Sequence, residues 1–225
     1  AGVTRWKTGD RVTIFPNVAC GRCSACRRGR EVLCPQAQVL GINREGAFAE
    51  SITLPASCLL PLPAAVSFPV GAIVADAVST AYRAVAHRGA LQRGESVAVF
   101  GCGGLGVHGI KLAKLLGAGE IIGVDVARGA LRRAEEAGAT HVVDASGGDA
   151  AKQIRGLTAG EGVDLAVEFV GLKASVMEAM RSIKRGGRVV IAGVGGDRVE
   201  LPPLRAFVGG ELAVLASMGF DRAEV

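Results

Sequence analysis

The sequence predicts an α/β fold in which a smaller, irregular β domain precedes a doubly wound parallel sheet. From about residue 71 onward, Ala-rich periodic segments alternate with short Val/Ile runs, as expected of βαβ units. A Gly-x-Gly-x-x-Gly sequence follows the first of these runs. Before residue 71, short β-like runs are separated by prolines, and five of the eight prolines lie before residue 64.

Composition bounds the class of protein. A chain of 225 residues that is 49% apolar can bury a core in one large or two small domains, which excludes a disordered chain. We expect no membrane span, since no run of 18 apolar residues lacks a charge, and no secretory signal is visible, so the expected location is cytoplasmic. The net charge of +5 comes without basic blocks, which indicates compositional bias and no nucleic-acid partner.

The first predicted domain covers residues 1–75. Its β-like runs are Arg11–Phe15, Ala47–Leu54 and Cys58–Leu62. A helix from about Val70 to His87, ending at Gly89, is predicted to join it to the second domain, residues 76–225.

The second predicted domain alternates strands and helices. The predicted strands are Ser96–Phe100, Ile121–Asp125, His141–Asp144, Leu165–Phe169, Arg188–Ala192 and Leu212–Ser217. The predicted helices are Leu105–Leu116, Arg128–Ala137, Ala150–Leu157 and Ala174–Ile183. Gly138 and Gly186 are predicted to stop two of these helices, because glycine adopts the left-handed conformation that ends a helix.

Four cysteines fall within fifteen residues: Cys20, Cys23, Cys26 and Cys34. Four thiolates at this spacing can form the closed tetrahedral shell of a structural zinc, so the sequence predicts a zinc lobe over residues 20–34. Disulfides would need an oxidising compartment, and a bacterial ferredoxin cluster would have a last gap of three residues instead of seven. A nucleic-acid-binding zinc ribbon would add aromatic residues, and none lie between Cys20 and Cys34.

The glycine motif connects a predicted strand to a predicted helix. Gly101 would permit a tight turn, Gly103 would let the backbone approach a pyrophosphate, and Gly106 would allow close helix–strand packing. Free backbone N–H groups and the positive end of the helix dipole would then hold the diphosphate. The residues predicted to bind the diphosphate are Gly101, Gly103, Gly104, Leu105 and Gly106.

Asp125 ends the next predicted strand, 19 residues after Gly106. Its carboxylate would accept hydrogen bonds from the adenosine ribose hydroxyls and repel a 2′-phosphate, which favours NAD over NADP. The competing interpretation is a structural glycine turn followed by a surface acid.

With the four cysteines and the Gly101 turn, the chain resembles the zinc-dependent medium-chain alcohol dehydrogenases. Gly9-Asp-Arg-Val12 and Gly46-Ala-Phe-Ala-Glu50 carry the resemblance further, and it covers essentially all of the sequence. It implies a partial GroES-like β barrel and a Rossmann-type NAD domain. It also implies an alcohol or polyol dehydrogenase, in which a catalytic zinc stabilises an alkoxide that passes hydride to nicotinamide, giving an aldehyde or ketone.

The same resemblance implies roles for individual residues. Asp76 would be the third ligand of the catalytic zinc, and Thr80 would lie against the nicotinamide ring. Residues implied to border the cofactor are Arg128, Phe169, Val170 and Val194. The other two zinc ligands, a Cys and a Gly-His-Glu histidine, belong to an N-terminal stretch that this sequence does not contain. Members of the family also continue beyond the sixth strand of the nucleotide domain, so the chain is expected to be a fragment lacking both ends.

Two other functions are compatible with the same pattern. One is a zinc-independent medium-chain reductase, although such relatives generally lack the four-cysteine lobe. The other is a non-catalytic NAD-binding or redox-sensing protein, since a fold alone does not imply a reaction. The expected partners are a small-molecule alcohol or carbonyl substrate and further copies of the chain, as a homodimer or homotetramer formed partly through Leu212–Met218.

Overall fold

The computed structural model describes residues 3–225. The chain forms two compact units: one runs through Ser79 and includes Met218–Val225, and the other is Thr80–Ser217. The last segment packs in the first unit because the Asp221 carboxylate accepts hydrogen bonds from the Val32 N–H (3.0 Å) and the Arg30 guanidinium (3.1 Å). This differs from the predicted division at residue 75, which leaves the C-terminal segment in the second domain.

The first unit contains short strands in two antiparallel pairs. Its elements begin with β1 (Val12–Ile14), β2 (Asn17–Val18), α1 (Ser24–Arg27), β3 (Gln38–Val39) and β4 (Leu59–Pro61). Strand β1 pairs with β4, and β2 pairs with β3. These pairs confirm strands within the first and third predicted runs.

The predicted strand at Ala47–Leu54 is wrong. This segment has no regular secondary structure, and the Phe48 side chain is fully exposed. Among the described residues no strand lies beside it, so its backbone groups have no ladder to join and its alternating pattern has no buried face.

A helical stretch follows the first strands, as predicted for residues 70–87. It consists of α2 (Phe68–Ile73), a π-helical turn (Val74–Val78), α3 (Ser79–Tyr82) and a second π-helical turn (Arg83–Arg88). Pro69 lies in the first turn, where the absence of its N–H is tolerated. The stretch ends at Gly89, whose N–H bonds to the Ala84 carbonyl.

The second unit is a six-stranded sheet with helices between the strands. Its strands are β5 (Ser96–Phe100), β6 (Glu120–Asp125), β7 (His141–Asp144), β8 (Val163–Glu168), β9 (Ile183–Ile191) and β10 (Ala213–Ala216). Its helices are α4 (Gly104–Leu116), α5 (Arg128–Ala137), α6 (Ala150–Leu157), α7 (Lys173–Ser182) and α8 (Leu204–Gly209).

All neighbouring strands of this sheet are parallel, in the order β7-β6-β5-β8-β9-β10. Along β5, Val97 and Val99 belong to one apolar cluster, and Ala98 and Phe100 belong to another on the opposite face. Both faces are therefore covered, as in a doubly wound sheet. The strand order changes direction between β5 and β8, and ligands of such folds bind at the carboxyl ends of the strands there.

Several element ends differ from the predictions. Gly138 ends α5 in the left-handed conformation, as predicted, but Gly186 does not stop a helix. Helix α7 ends at Ser182 and the chain passes directly into β9, where Gly186 has φ +72°. The early strand start follows from Ile183, which is buried and pairs with Val163.

Among residues 3–225, no helix is both long enough and apolar enough to cross a lipid bilayer.

Candidate nucleotide and metal sites

The glycine turn after β5 contains glycines with different steric roles. Gly101 has φ +86°, a left-handed backbone that favours glycine. A Cβ on Gly106 would lie 1.9 Å from the Gly101 carbonyl oxygen, so helix α4 packs directly on the turn. A Cβ on Gly103 would meet nothing within 4 Å. The backbone at Gly103 is therefore open to a ligand.

Helix α4 begins at this turn without a side-chain cap. Gly103 is its N-cap residue, and having no side chain it cannot accept a hydrogen bond from the first turn. Free N–H groups at the start of a 13-residue helix carry partial positive charge, which suits a diphosphate. The predicted binding residues Gly104 and Leu105 lie in this first turn.

Asp125 lies at the carboxyl end of β6, next to the glycine turn. Its Oδ2 accepts a hydrogen bond from the Cys102 N–H (2.8 Å), and its Oδ1 accepts one from the Ala127 N–H (2.9 Å). These two bonds fix the carboxylate beside the turn. Each oxygen keeps a further lone pair, so the group can still accept hydrogen bonds from ribose hydroxyls.

A cavity of about 250 Å³ opens beside Asp125. Its walls come from the carboxyl ends of β5 and β6, the turn after β7, and the segment from β8 into α7. The lining residues are Phe100, Gly101, Val124, Asp125, Val126, Ala145, Gly148, Val170, Leu172, Ala174, Ser175 and Glu178. Most of these side chains are apolar, as expected of a slot that holds a planar base.

Glu168, at the end of β8, was not singled out from the sequence. It is fully buried, and its Oε1 accepts hydrogen bonds from the Val170 N–H (2.9 Å), the Gly171 N–H (2.8 Å) and the Ser175 hydroxyl (2.7 Å). Its Oε2 has no hydrogen-bond partner and lies beside Gly193. A Cβ added to Gly193 would be only 2.7 Å from this oxygen. Glu168 therefore shapes the loop that carries Val170.

The residues predicted to border the cofactor are not all in the cavity wall. Val170 lines the cavity, whereas the ring of Phe169 lies against Gly109 of α4, because successive residues of an extended segment point to opposite sides. Val194 is highly exposed, and its backbone packs against Gly171. Arg128 is exposed at the start of α5.

Arg128 interacts electrostatically with a second acidic residue, Asp144, at the carboxyl ends of the strands. Asp144 ends β7 and pairs in register with Asp125 on β6. Hydrogen bonds from Ser146, together with the charge of Arg128, lower the pKa of Asp144.

Sequence reasoning also missed the cavity residues contributed by α7 and by Leu172, its N-cap residue. Leu172, Ser175 and Glu178 follow one another at three-residue spacing, which places them on one face of a helix. That periodicity was the signal available for finding them.

The four cysteines of the lobe converge on one point. Their Sγ atoms all lie within 4.8 Å of one another, and four sulfurs at Zn–S distances of ~2.3 Å would be about 3.8 Å apart. Backbone N–H groups point at the sulfurs: Cys23 N–H at Cys20 Sγ and Cys26 N–H at Cys23 Sγ, each at 3.4 Å. All four thiols are free. The donor set fits a structural zinc.

The same geometry favours thiolates in part of the cluster. Backbone hydrogen bonds from Arg22 and Cys23 lower the pKa of Cys20 to about 6. A backbone hydrogen bond at Cys26 lowers the pKa of Cys23. Burial and the adjacent Cys23 sulfur raise the pKa of Cys26 to about 12. Binding of a divalent cation would have to displace the Cys26 proton for that residue to ligate as a thiolate.

Asp76 and Thr80 lie in the helical stretch that follows the first strands. Asp76 is exposed in the π-helical turn Val74–Val78, and Thr80 is buried in α3. Asp76 also lines a second cavity, of about 700 Å³, formed within the first unit beside Thr13 and Phe48. Over residues 3–225, the cysteine lobe is the only group of three or more potential metal ligands, so Asp76 belongs to no such group.

Two family models match the sequence. The model described as zinc-binding dehydrogenase matches residues 104–225, and the model described as alcohol dehydrogenase GroES-like domain matches residues 1–64. The curated relatives include sorbitol dehydrogenase of Bacillus subtilis (strain 168), 36% identical over 195 residues, which are 86% of this chain and 55% of that protein. The chain thus spans about half the length of the curated relatives it matches.

Solved structures show the same fold. The alcohol dehydrogenase of Aeropyrum pernix superposes with a TM-score of 0.90 at 36% identity, over 99% of this chain and 65% of that one. A protein from Sinorhizobium meliloti 1021, described as a zinc-binding dehydrogenase bound to NADP, superposes equally well at 35% identity with the same coverage. These similarities confirm the predicted fold class of a Rossmann-type sheet with a GroES-like domain.

Proposed function

The chain belongs to the zinc-binding dehydrogenase family, and from that premise we propose that it is part of an NAD-dependent alcohol or polyol dehydrogenase. One observation carries the proposal. Asp125 is held beside an open glycine turn, at the mouth of an apolar cavity, at the point where the strand order changes direction. That arrangement suits a dinucleotide whose ribose hydroxyls bind the carboxylate.

Each part of the second unit would then have a task. The backbone at Gly103 and the first turn of α4 would hold the diphosphate, and Asp125 would orient the adenosine ribose. Glu168 would keep the Val170 loop in place through its three donors. Val194, which is exposed and rests on Gly171, would offer its carbonyl to the carboxamide of nicotinamide, with Thr80 beside the ring.

Zinc would have two uses. Cys20, Cys23, Cys26 and Cys34 would hold a structural ion that stabilises the lobe and has no open position for a substrate. A catalytic zinc, when bound, would act as a Lewis acid on the alcohol oxygen. Asp76 is proposed as the carboxylate ligand of this zinc, since it lines a cavity that is large enough for a small alcohol.

Assembly and location form part of the same proposal. Strand β10 pairs only with β9 among the described strands and so forms an edge of the sheet. A second copy that covers this edge would give the homodimer or homotetramer expected from the resemblance. A cytoplasmic location is supported by the free thiols of the lobe, because a reducing compartment keeps them available to zinc.

Binding and turnover test the proposal separately. We expect the purified chain to contain about one zinc per molecule, by elemental analysis, and to bind NADH in a fluorescence titration. The complete protein is expected to reduce NAD with secondary alcohols or polyols. Cofactor binding without hydride transfer to NAD by the complete protein would favour an NAD-binding sensor. A chain without zinc and without affinity for NADH would overturn the proposal.

Replacing Asp125 with serine is expected to move the cofactor preference toward NADP. The change removes the acceptor of the ribose hydroxyls and the charge that repels a 2′-phosphate, so the NADP/NAD affinity ratio should rise at least about tenfold. Fluorescence titration with NADH and NADPH measures that ratio. Glu161→Ser is the control, because Glu161 precedes the amino end of β8, whereas Asp125 lies at the carboxyl end of β6. An unchanged ratio for Asp125→Ser would refute the ribose assignment.

A further inference from the structure

The cavity of about 250 Å³ beside Asp125 is where the adenine base of the proposed dinucleotide would bind. Its wall contains three polar side chains: Asp125, Ser175 and Glu178. Asp125 lies on the side of the glycine turn, where the ribose would bind. The Ser175 hydroxyl is already within hydrogen-bonding distance of Glu168 Oε1 (2.7 Å) and the Leu172 carbonyl (2.9 Å). Glu178 is therefore the polar group left to face a base.

The carboxylate of Glu178 is held in place from two sides. Its Oε2 accepts a hydrogen bond from the Ala151 N–H (2.8 Å), and its Oε1 pairs with Arg181 Nη1 (3.0 Å). The side chain is only 14% exposed. A carboxylate can accept about four hydrogen bonds, so each oxygen has capacity for another donor. Because the walls beside it are mostly apolar, they offer few competing partners for that capacity.

We propose that Glu178 recognises the 6-amino group of adenine and makes this site select adenine over hypoxanthine. The inference rests on the proposed function, because the ribose on Asp125 places the base in the cavity. Val126 and Val170 provide apolar contact for any purine and do not tell one base from another. The amino group of adenine is a donor, which a carboxylate accepts. Hypoxanthine has a carbonyl oxygen at the same position, which a carboxylate repels.

The test compares two dinucleotides that differ only at this position. NADH and reduced nicotinamide hypoxanthine dinucleotide are titrated into the purified chain, and Kd is measured from nicotinamide fluorescence. A hydrogen bond to a charged group is worth about tenfold or more in affinity, so we expect NADH to bind about tenfold more tightly.

Glu178→Gln is the informative variant. Its amide oxygen can still accept from the Ala151 N–H, so the local fold is kept, while its amide N–H groups can donate to the hypoxanthine carbonyl. We expect the ratio of the Kd of the hypoxanthine dinucleotide to the Kd of NADH to fall from about ten to about one, or to reverse. Glu161→Gln removes the same charge from an exposed side chain before the amino end of β8, far along the strands from the cavity, and should leave the ratio unchanged.

The remaining outcomes separate this inference from the function on which it rests. If Glu178 only fixes the start of α6, Glu178→Gln would weaken both dinucleotides equally and keep their ratio, which overturns the inference. Equal Kd values in the unmodified chain would overturn it too and leave the dehydrogenase proposal standing. Failure to bind either dinucleotide would overturn both.

Discussion

Changing Cys26 to serine is expected to remove zinc from the lobe of residues 20–34 and to unfold that lobe. The Cys26 sulfur lies 3.4 Å from Cys23 Sγ and 3.9 Å from Cys20 Sγ, so its loss opens the tetrahedral shell. The effect should be large because metal affinity in such sites is folding free energy, about 10 kcal/mol or more for structural zinc. Between the ligands, the lobe has only a four-residue helix and one 3₁₀ turn, too little to bury a core.

Zinc content and thermal unfolding measure this effect together. After dialysis against a mild chelator, the unmodified chain should keep about one zinc, and Cys26→Ser should keep close to none. Cys58→Ala is the matched control, because Cys58 is a buried thiol of the same unit outside the cluster. It should lose some stability from the small cavity and no zinc. Equal zinc content in Cys26→Ser and the unmodified chain would refute the structural site.

Features with a local cause could be predicted from the sequence. Helices α5 and α6 have the predicted bounds, since Gly138 ends one and apolar periodicity defines both. The cysteine lobe was also predictable, because the two-residue spacing of Cys20, Cys23 and Cys26 brings their sulfurs together locally and Cys34 follows within the same short segment. The same holds for the glycine turn, where Gly106 packs on the Gly101 carbonyl five residues earlier and Gly101 adopts a left-handed backbone.

Features that depend on distant partners could not be predicted. The run Ala47–Leu54 alternates like a strand, yet a strand exists only where a neighbour completes its ladder. The early start of β9 depends on Val163, twenty residues away, which pairs with Ile183. In the sequence, Glu168 is simply an acidic residue that follows an apolar run. Its structural importance comes from donors that only the folded loop brings to it.

Gly106→Ala and Gly103→Ala are expected to differ in their effect on stability, although both add one methyl group to the same turn and both should weaken NADH binding. At Gly106 the new Cβ would lie 1.9 Å from the Gly101 carbonyl oxygen and 2.8 Å from its carbon. Both are backbone atoms and cannot rotate away, so helix α4 must move off the sheet. We expect a loss of about 3 to 5 kcal/mol in unfolding free energy, measured by urea denaturation, and loss of NADH binding as a consequence.

Gly103→Ala separates folding from binding. Its Cβ meets nothing within 4 Å, so the unfolding free energy should change by less than about 1 kcal/mol. The methyl group would nevertheless occupy the space through which the backbone approaches the diphosphate, so NADH affinity should fall at least about tenfold. A Gly103→Ala chain that binds NADH normally would place the diphosphate elsewhere. A Gly106→Ala chain of normal stability would mean that α4 is not held against the turn. Because each result contradicts a different contact, the pair tests the two glycine roles independently.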